Sequence, residues 1–207
     1  MKLIVISQPS SIPNEHGIIN ALFEAGLNYF HLRKPDFNFE EMEEYIKLIP
    51  VQFQNKVVLH SHHQLALECG LRGIHYTKQN PYNVGNEKNL NMHQSVSFHS
   101  LGEIKNVNPV FQYVFISPVF DSISKENYKT KIDKTALKLF LQDKVNEPEI
   151  IALGGINEET INEAMEIGFD GLAVLGAIWM SNNPIEKFNH LLKITNSFNK
   201  IKNRIHV

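Results

Sequence analysis

Short apolar runs alternate with amphipathic stretches along the whole chain, a strand–helix rhythm. The runs predict strands at 3–7, 28–33, 57–61, 73–77, 95–99, 113–120, 149–153 and 171–175. Between them the polar–apolar spacing predicts helices at 14–25, 38–48, 64–69, about 101–107, 133–144, 158–167 and 184–196. Gly26 and Gly70 close two of these helices, Pro50 stops a third and Pro184 opens the last. The Asn-rich segment running up to Asn91 gives no clear element. Strands separated by helices pair in parallel, and right-handed crossovers put the helices on one side of the sheet. Eight units in 207 residues leave roughly 26 residues each, near the lower limit for a closed α/β barrel. The expected fold is therefore a (β/α)8 TIM barrel forming a single domain over residues 1–207, with a doubly wound open sheet as its rival.

A barrel places chemistry at the C-terminal ends of its strands, and phosphate commonly binds after strands 7 and 8. Strand 7 runs into Leu153-Gly154-Gly155-Ile156-Asn157. The two glycines permit a sharp turn and close approach of a ligand, and Asn157 is a candidate N-cap with Glu158 and Glu159 behind it. Taken alone, this is an ordinary strand-to-helix turn. Gly176 after strand 8 offers a second run of backbone N–H groups, and the pair predicts an anion cradle.

Other strand ends add to it. Tyr29, His31 and Arg33 alternate onto one face, and an arginine at a barrel mouth can clamp phosphate bidentately. Histidines follow at His60, His62, His63, His75 and His99. Such a set suits a transition metal, but no carboxylate partner stands at ligand spacing. A polar pocket is the expected outcome, with no metal ligand assigned and His31, His60 and His99 as candidate proton carriers. After strand 6, Ser122, Ser124 and Lys125 can wrap an anion with two hydroxyls and a charge.

Bulk properties narrow the function. The net charge of −2, with 20 Lys+Arg against 22 Asp+Glu, gives no footprint for nucleic acid or an anionic membrane. One cysteine, Cys69, excludes an internal disulfide and a cysteine-rich zinc site. No apolar run approaches the roughly 20 residues that span a bilayer, and MKLIVISQPS is too short in its apolar core for a signal peptide, so a cytoplasmic protein is expected.

In order, HLRK, GIHYTKQN, SVSFHS, SPVFDSISK and ALGGI resemble the thiamine phosphate synthase/TenI family over nearly the whole chain. The resemblance implies a barrel that handles a thiazole phosphate. Synthases join it to a pyrimidine pyrophosphate with Mg2+, by dissociative substitution at the pyrimidine methylene carbon; TenI proteins isomerise a thiazole carboxylate phosphate. It also implies that Arg33 and Ser97 contact pyrophosphate. Ser122, Ser124 and Lys125 take the Thr-x-Thr-Lys positions, and Gly154 and Gly155 the phosphate turn. Several positions depart. His31 replaces a glutamine, Pro35 a lysine (with Lys34 one place early), and Lys78 a second glutamine. His60-Ser61 and Asn80 stand where Asn-Asp and a further aspartate hold magnesium. Pro118 takes the place of the tautomerase histidine. The expected activity is diverged synthesis or TenI-like isomerisation; the alternatives are a non-catalytic thiamine-intermediate binder and another phosphate-binding barrel isomerase. No nucleic acid or membrane partner is expected, and a homo-oligomeric state stays open.

Overall fold

A computed structural model describes residues 1–82, 92–104, 110–121, 132–143 and 148–205, the last six as backbone alone. Eight parallel strands close into one barrel in sequence order. They are β1 Lys2–Ile6, β2 Phe30–Leu32, β3 Val57–Leu59, β4 Gly73–Tyr76, β5 His93–Phe98, β6 Tyr113–Ile116, β7 Glu149–Leu153 and β8 Gly171–Val174. The closing seam pairs Lys2 with Gly171 and Val5 with Val174. Every predicted strand is present and the open-sheet rival is excluded.

Among the described residues helices separate consecutive strands except between β4 and β5: α1 Glu15–Glu24, α2 Phe39–Lys47, α3 Val51–Gln54, α4 Gln64–Glu68, α5 Leu101–Ile104, α6 Lys134–Asp143, α7 Ile161–Ile167, α8 Gly176–Trp179 and α9 Pro184–Ile205. α2 begins with a reciprocal capping box: Asn38 Oδ1 accepts from the Glu41 N–H and Glu41 Oε2 from the Asn38 N–H.

α9 runs on to Ile205, past the expected end at 196, and four other differences have local physical reasons. β6 ends at Ile116, since Pro118 has no N–H for the ladder; pairing resumes when Val119 and Phe120 donate to the Leu153 and Gly154 carbonyls at 3.0 and 3.1 Å. Asn157 does not cap α7. Its Oδ1 accepts from the N–H groups of Glu159 and Thr160, building a turn that delays the helix to Ile161. Pro50 ends one helix but also opens the extra turn α3. α8 is a short helix that periodicity could not resolve; it is pinned where Trp179 Nε1 donates to the Ile6 carbonyl at 2.6 Å.

Two apolar layers result. The larger lies between strands and helices and includes Phe23, Phe30, Met42, Val114, Ile150 and Phe188. The smaller fills the barrel with Ile4, Ile6, Tyr113, Phe115, Ile151 and Ala173, from β1 and β6–β8. The β2–β5 side of the interior is polar instead. His31, His75 and Ser95 have no exposed surface, and His60 only 6%. No helix among the described residues is long and apolar enough to cross a membrane.

Candidate active site

A cavity of about 350 Å³ opens at the C-terminal ends of the strands. Its floor is apolar, made by Ile6, Phe115, Leu153, Ala173 and Leu175. Its walls bring together eight of the twelve sequence-predicted residues: Arg33, His60, Lys78, Ser97, His99, Gly154, Gly155 and Gly176. His31 lies beneath, out of the cavity but bonded to His60. Ser122, Ser124 and Lys125 lie outside the described residues.

The glycine wall is a consequence of backbone shape. Gly154 and Gly155 have φ of +93° and +67°, the left-handed region that side chains resist. They are also crowded. A Cβ on Gly154 would stand 2.8 Å from Pro118 Cα, and one on Gly155 2.5 Å from the Asp121 carbonyl oxygen. Thr160 Oγ1 locks the turn, donating to the Gly155 carbonyl at 2.7 Å and accepting from the Asn157 N–H at 3.0 Å. Among the described residues no protein acceptor takes the N–H of Gly155, Gly176 or Ala177. These donors border the cavity, so the wall suits an anion.

The opposite wall carries the cations. Arg33 follows β2, its backbone held at both ends by the buried Ser7. Ser7 Oγ accepts from the Arg33 N–H at 2.8 Å and donates to the Arg33 carbonyl at 3.0 Å. Sequence reasoning missed Ser7, although its place just beyond β1 marks it as a neighbour of the β2 end. Lys34 is not a site residue. It is buried against Glu15, with Nζ to carboxylate distances of 2.6 and 2.8 Å, and Ser10 takes a further bond. Burial pulls its pKa down more than Glu15 raises it.

No carboxylate lines the cavity among the described residues, whereas Arg33 and Lys78 do. Magnesium requires anionic oxygen ligands and keeps much of its water. The residues at the magnesium positions do not fit it. Asn80 lies outside the cavity lining and donates from Nδ2 to the His60 carbonyl at 3.2 Å, while Ser61 Oγ is buried without a partner.

The histidines divide into two kinds. His99 is exposed at the rim, and its Nδ1 lies 2.8 Å from the Ser117 carbonyl oxygen. A carbonyl only accepts, so Nδ1 is the donor, and in the neutral form of the ring the lone pair is on Nε2. His31, His60 and His75 form a buried network that reaches the cavity wall at His60. His60 Nε2 meets His31 Nδ1 at 2.9 Å, and His31 Nε2 meets the Tyr113 hydroxyl at 2.5 Å. His75 bonds Ser95 Oγ through Nδ1 at 2.8 Å and Ser97 Oγ through Nε2 at 2.7 Å. Burial first, then the neighbouring charges, hold His31 and His60 well below the ordinary imidazole range and push His75 down to about 3. All three are neutral at pH 7. His75, Ser95 and Tyr113 were not singled out as site residues; inward alternation on β4, β5 and β6 is the signal that finds them.

The comparisons with known proteins agree with this geometry. The profile of the thiamine monophosphate synthase (TMP-TENI) family matches residues 3–178. The thiamine-phosphate synthase of Leptospira biflexa is 27% identical over 180 residues, covering 82% of this chain and 84% of that one. The crystal structure of thiamine phosphate pyrophosphorylase from Bacteroides thetaiotaomicron superposes with a TM-score of 0.81 at 34% identity, covering 95% of this chain and 98% of its own. The Pyrococcus furiosus enzyme of the same name superposes at 0.80 with 22% identity, over 95% of this chain and 96% of that one, a likeness of fold. A closed barrel, a glycine turn after β7 and a cationic wall opposite it thus meet a profile spanning most of the sequence: the chain belongs to the thiamine monophosphate synthase family of thiamine biosynthesis.

Proposed function

We propose that this protein forms thiamine phosphate by joining a pyrimidine pyrophosphate to a thiazole phosphate. One observation carries the reading: the cavity has donor groups on two opposite walls and, among the described residues, no carboxylate between them. Two anions can therefore face each other across an apolar floor. The thiazole phosphate takes the amides of Gly155, Gly176 and Ala177, with Ser122, Ser124 and Lys125 assigned to it by their place in the sequence. The pyrophosphate takes Arg33, Lys78 and the Ser97 hydroxyl.

The chemistry then asks for little acid–base help. The bond from the pyrimidine methylene carbon to the pyrophosphate oxygen breaks, and the pyrophosphate keeps the electron pair. The resulting aromatic cation is captured by the lone pair of the thiazole nitrogen, forming the new C–N bond. Arg33 and Lys78 neutralise charge that grows on the leaving group, and the glycine wall fixes the nucleophile within reach. Ile6, Phe115 and Leu153 keep water from the cation. No step here runs through magnesium, since Ser61 and Asn80 stand where the family's carboxylate ligands are expected.

The Nε2 lone pair of His99 supports a second reading, isomerisation of a thiazole phosphate by proton transfer. His60, at the cavity wall, and His31 behind it are further carriers in that reading. One assay separates the two. Purified protein is incubated with both synthase substrates, with and without Mg2+, and separately with the unrearranged thiazole tautomer. Thiamine phosphate and pyrophosphate in equal amounts are expected. Conversion of the tautomer alone transfers the assignment to isomerisation, and tight binding without either product makes the protein a sequestering binder.

A further inference from the structure

We infer that His31, His60 and His75 form a binding site for a late first-row divalent cation, best represented by Zn2+, at the floor of the cavity. One ring nitrogen from each lies within 4.8 Å of the others, and all three side chains are buried. The strands dictate this meeting. β2, β3 and β4 are consecutive in the barrel, and Leu59 pairs with Ile74, so the next residues, His60 and His75, stand side by side. Their rings stack at 4.3 Å, and His31 closes the triangle at 5.1 and 5.2 Å.

Three features point to a metal over a plain polar core. First, a histidine ligand normally uses one nitrogen for the ion and ties down the other. His31 has the Tyr113 hydroxyl behind Nε2, and His75 has Ser95 Oγ behind Nδ1; the ion would then replace His60 as the partner of His31 Nδ1 and Ser97 Oγ as the partner of His75 Nε2. Second, a plain hydrogen-bonded core leaves the His60 ring half satisfied: Nε2 meets His31 Nδ1, while Nδ1 is buried with no partner. Third, Zn–N bonds of about 2.0–2.1 Å place ligand nitrogens about 3.4 Å apart. The 2.9 Å His31–His60 contact needs only to open slightly, and the wider pairs to close.

The donor set selects the ion. Neutral imidazoles favour Zn2+, Co2+, Ni2+ or Cu2+ over Mg2+, which prefers carboxylate oxygens. Three neutral ligands leave the ion's double charge uncompensated, with Arg33 nearby. The fourth position faces the cavity through His60 and Ser97, where an anion or hydroxide can supply the missing charge. This site stands whichever reaction the cavity runs.

The test is metal binding, measured without turnover. Protein stripped with a chelator is titrated with Zn2+ against a chromogenic competitor, and separately with Co2+. One Zn2+ per chain is expected, with the strong visible absorption of four-coordinate, nitrogen-bound Co2+. His75→Gln should weaken binding by about 100-fold or more, and Tyr113→Phe by about 10-fold through its support of His31. His62→Gln and His190→Gln, outside the triangle, should bind as the parent does. Circular dichroism checks the fold of each variant, and the wild-type stoichiometry and Co2+ spectrum decide even where His75→Gln fails to fold. No binding by the stripped wild type, a six-coordinate Co2+ spectrum, or undiminished binding in folded His75→Gln overturns the inference and leaves a hydrogen-bonded core.

Discussion

The two sides of the cavity are built on opposite principles. On the β7–β8 side the side chains withdraw. Gly154, Gly155 and Gly176 leave backbone amides at the surface, the barrel interior behind them is aliphatic, and the turn is fixed by its own crowding. On the β2–β4 side the side chains do the work. Arg33 and Lys78 face the cavity while His31, His60 and His75 fill the interior with polar groups that must satisfy one another. A backbone cradle fits any phosphate and depends on conformation. A side-chain wall depends on identity, so the same fold can keep the first while the second changes its chemistry.

The largest difference should appear on acidification of chelator-treated protein. The folded pKa of His75 lies far below the unfolded value, so the unfolded chain takes up protons first as pH falls. Stability present above about pH 6.5 is then lost between 6.5 and 3. At pH 5 His75 alone costs about 2 kcal/mol, and His31 and His60 add losses of the same sign. Urea midpoints at pH 7 and pH 5 measure this, and equal midpoints would break the claim that the histidine side is held neutral.

Gly155→Ala attacks the other side. It forces a Cβ into the Asp121 carbonyl at a positive φ. A stability loss of about 1–3 kcal/mol is expected from the backbone strain, and a loss of turnover of about 100-fold from the displaced phosphate. A variant with wild-type kinetics would mean that the turn is structural only.

Arg33→Lys separates the walls. A lysine cannot reproduce the planar fork, so the KM for the pyrimidine pyrophosphate should rise about 10–100-fold, while thiazole phosphate binding stays near wild type. Ser7→Ala should be the mildest. It removes both hydrogen bonds that hold the Arg33 backbone, costing about 1 kcal/mol in thermal or urea unfolding, with a smaller KM effect of the same kind as Arg33→Lys.

The barrel could be read from the sequence because each strand is a short, continuous apolar run, and parallel strands between helices have few topologies open to them. The glycine turn and Arg33 could be read for the same reason, since strand ends define the mouth. The rest depends on contacts between residues distant in sequence. Lys34, one place early for the family's lysine, is held by Glu15 on α1 and does not line the cavity. Asn80 marks a missing metal aspartate in the sequence, but only the fold shows its amide going to the His60 carbonyl. Alternation along single strands marks His31, His75 and Tyr113 as inward-facing, but the network they form exists only once β2, β4 and β6 share one interior.

The most direct test of the two-sided account is calorimetric titration of thiazole phosphate into the wild-type protein, Gly155→Ala and Arg33→Ala. One site per chain is expected in the wild type, abolished in Gly155→Ala and within about threefold of wild type in Arg33→Ala, because a glycine-wall anion makes no use of the cationic wall. No binding by the wild type, or equal loss in both variants, would contradict it.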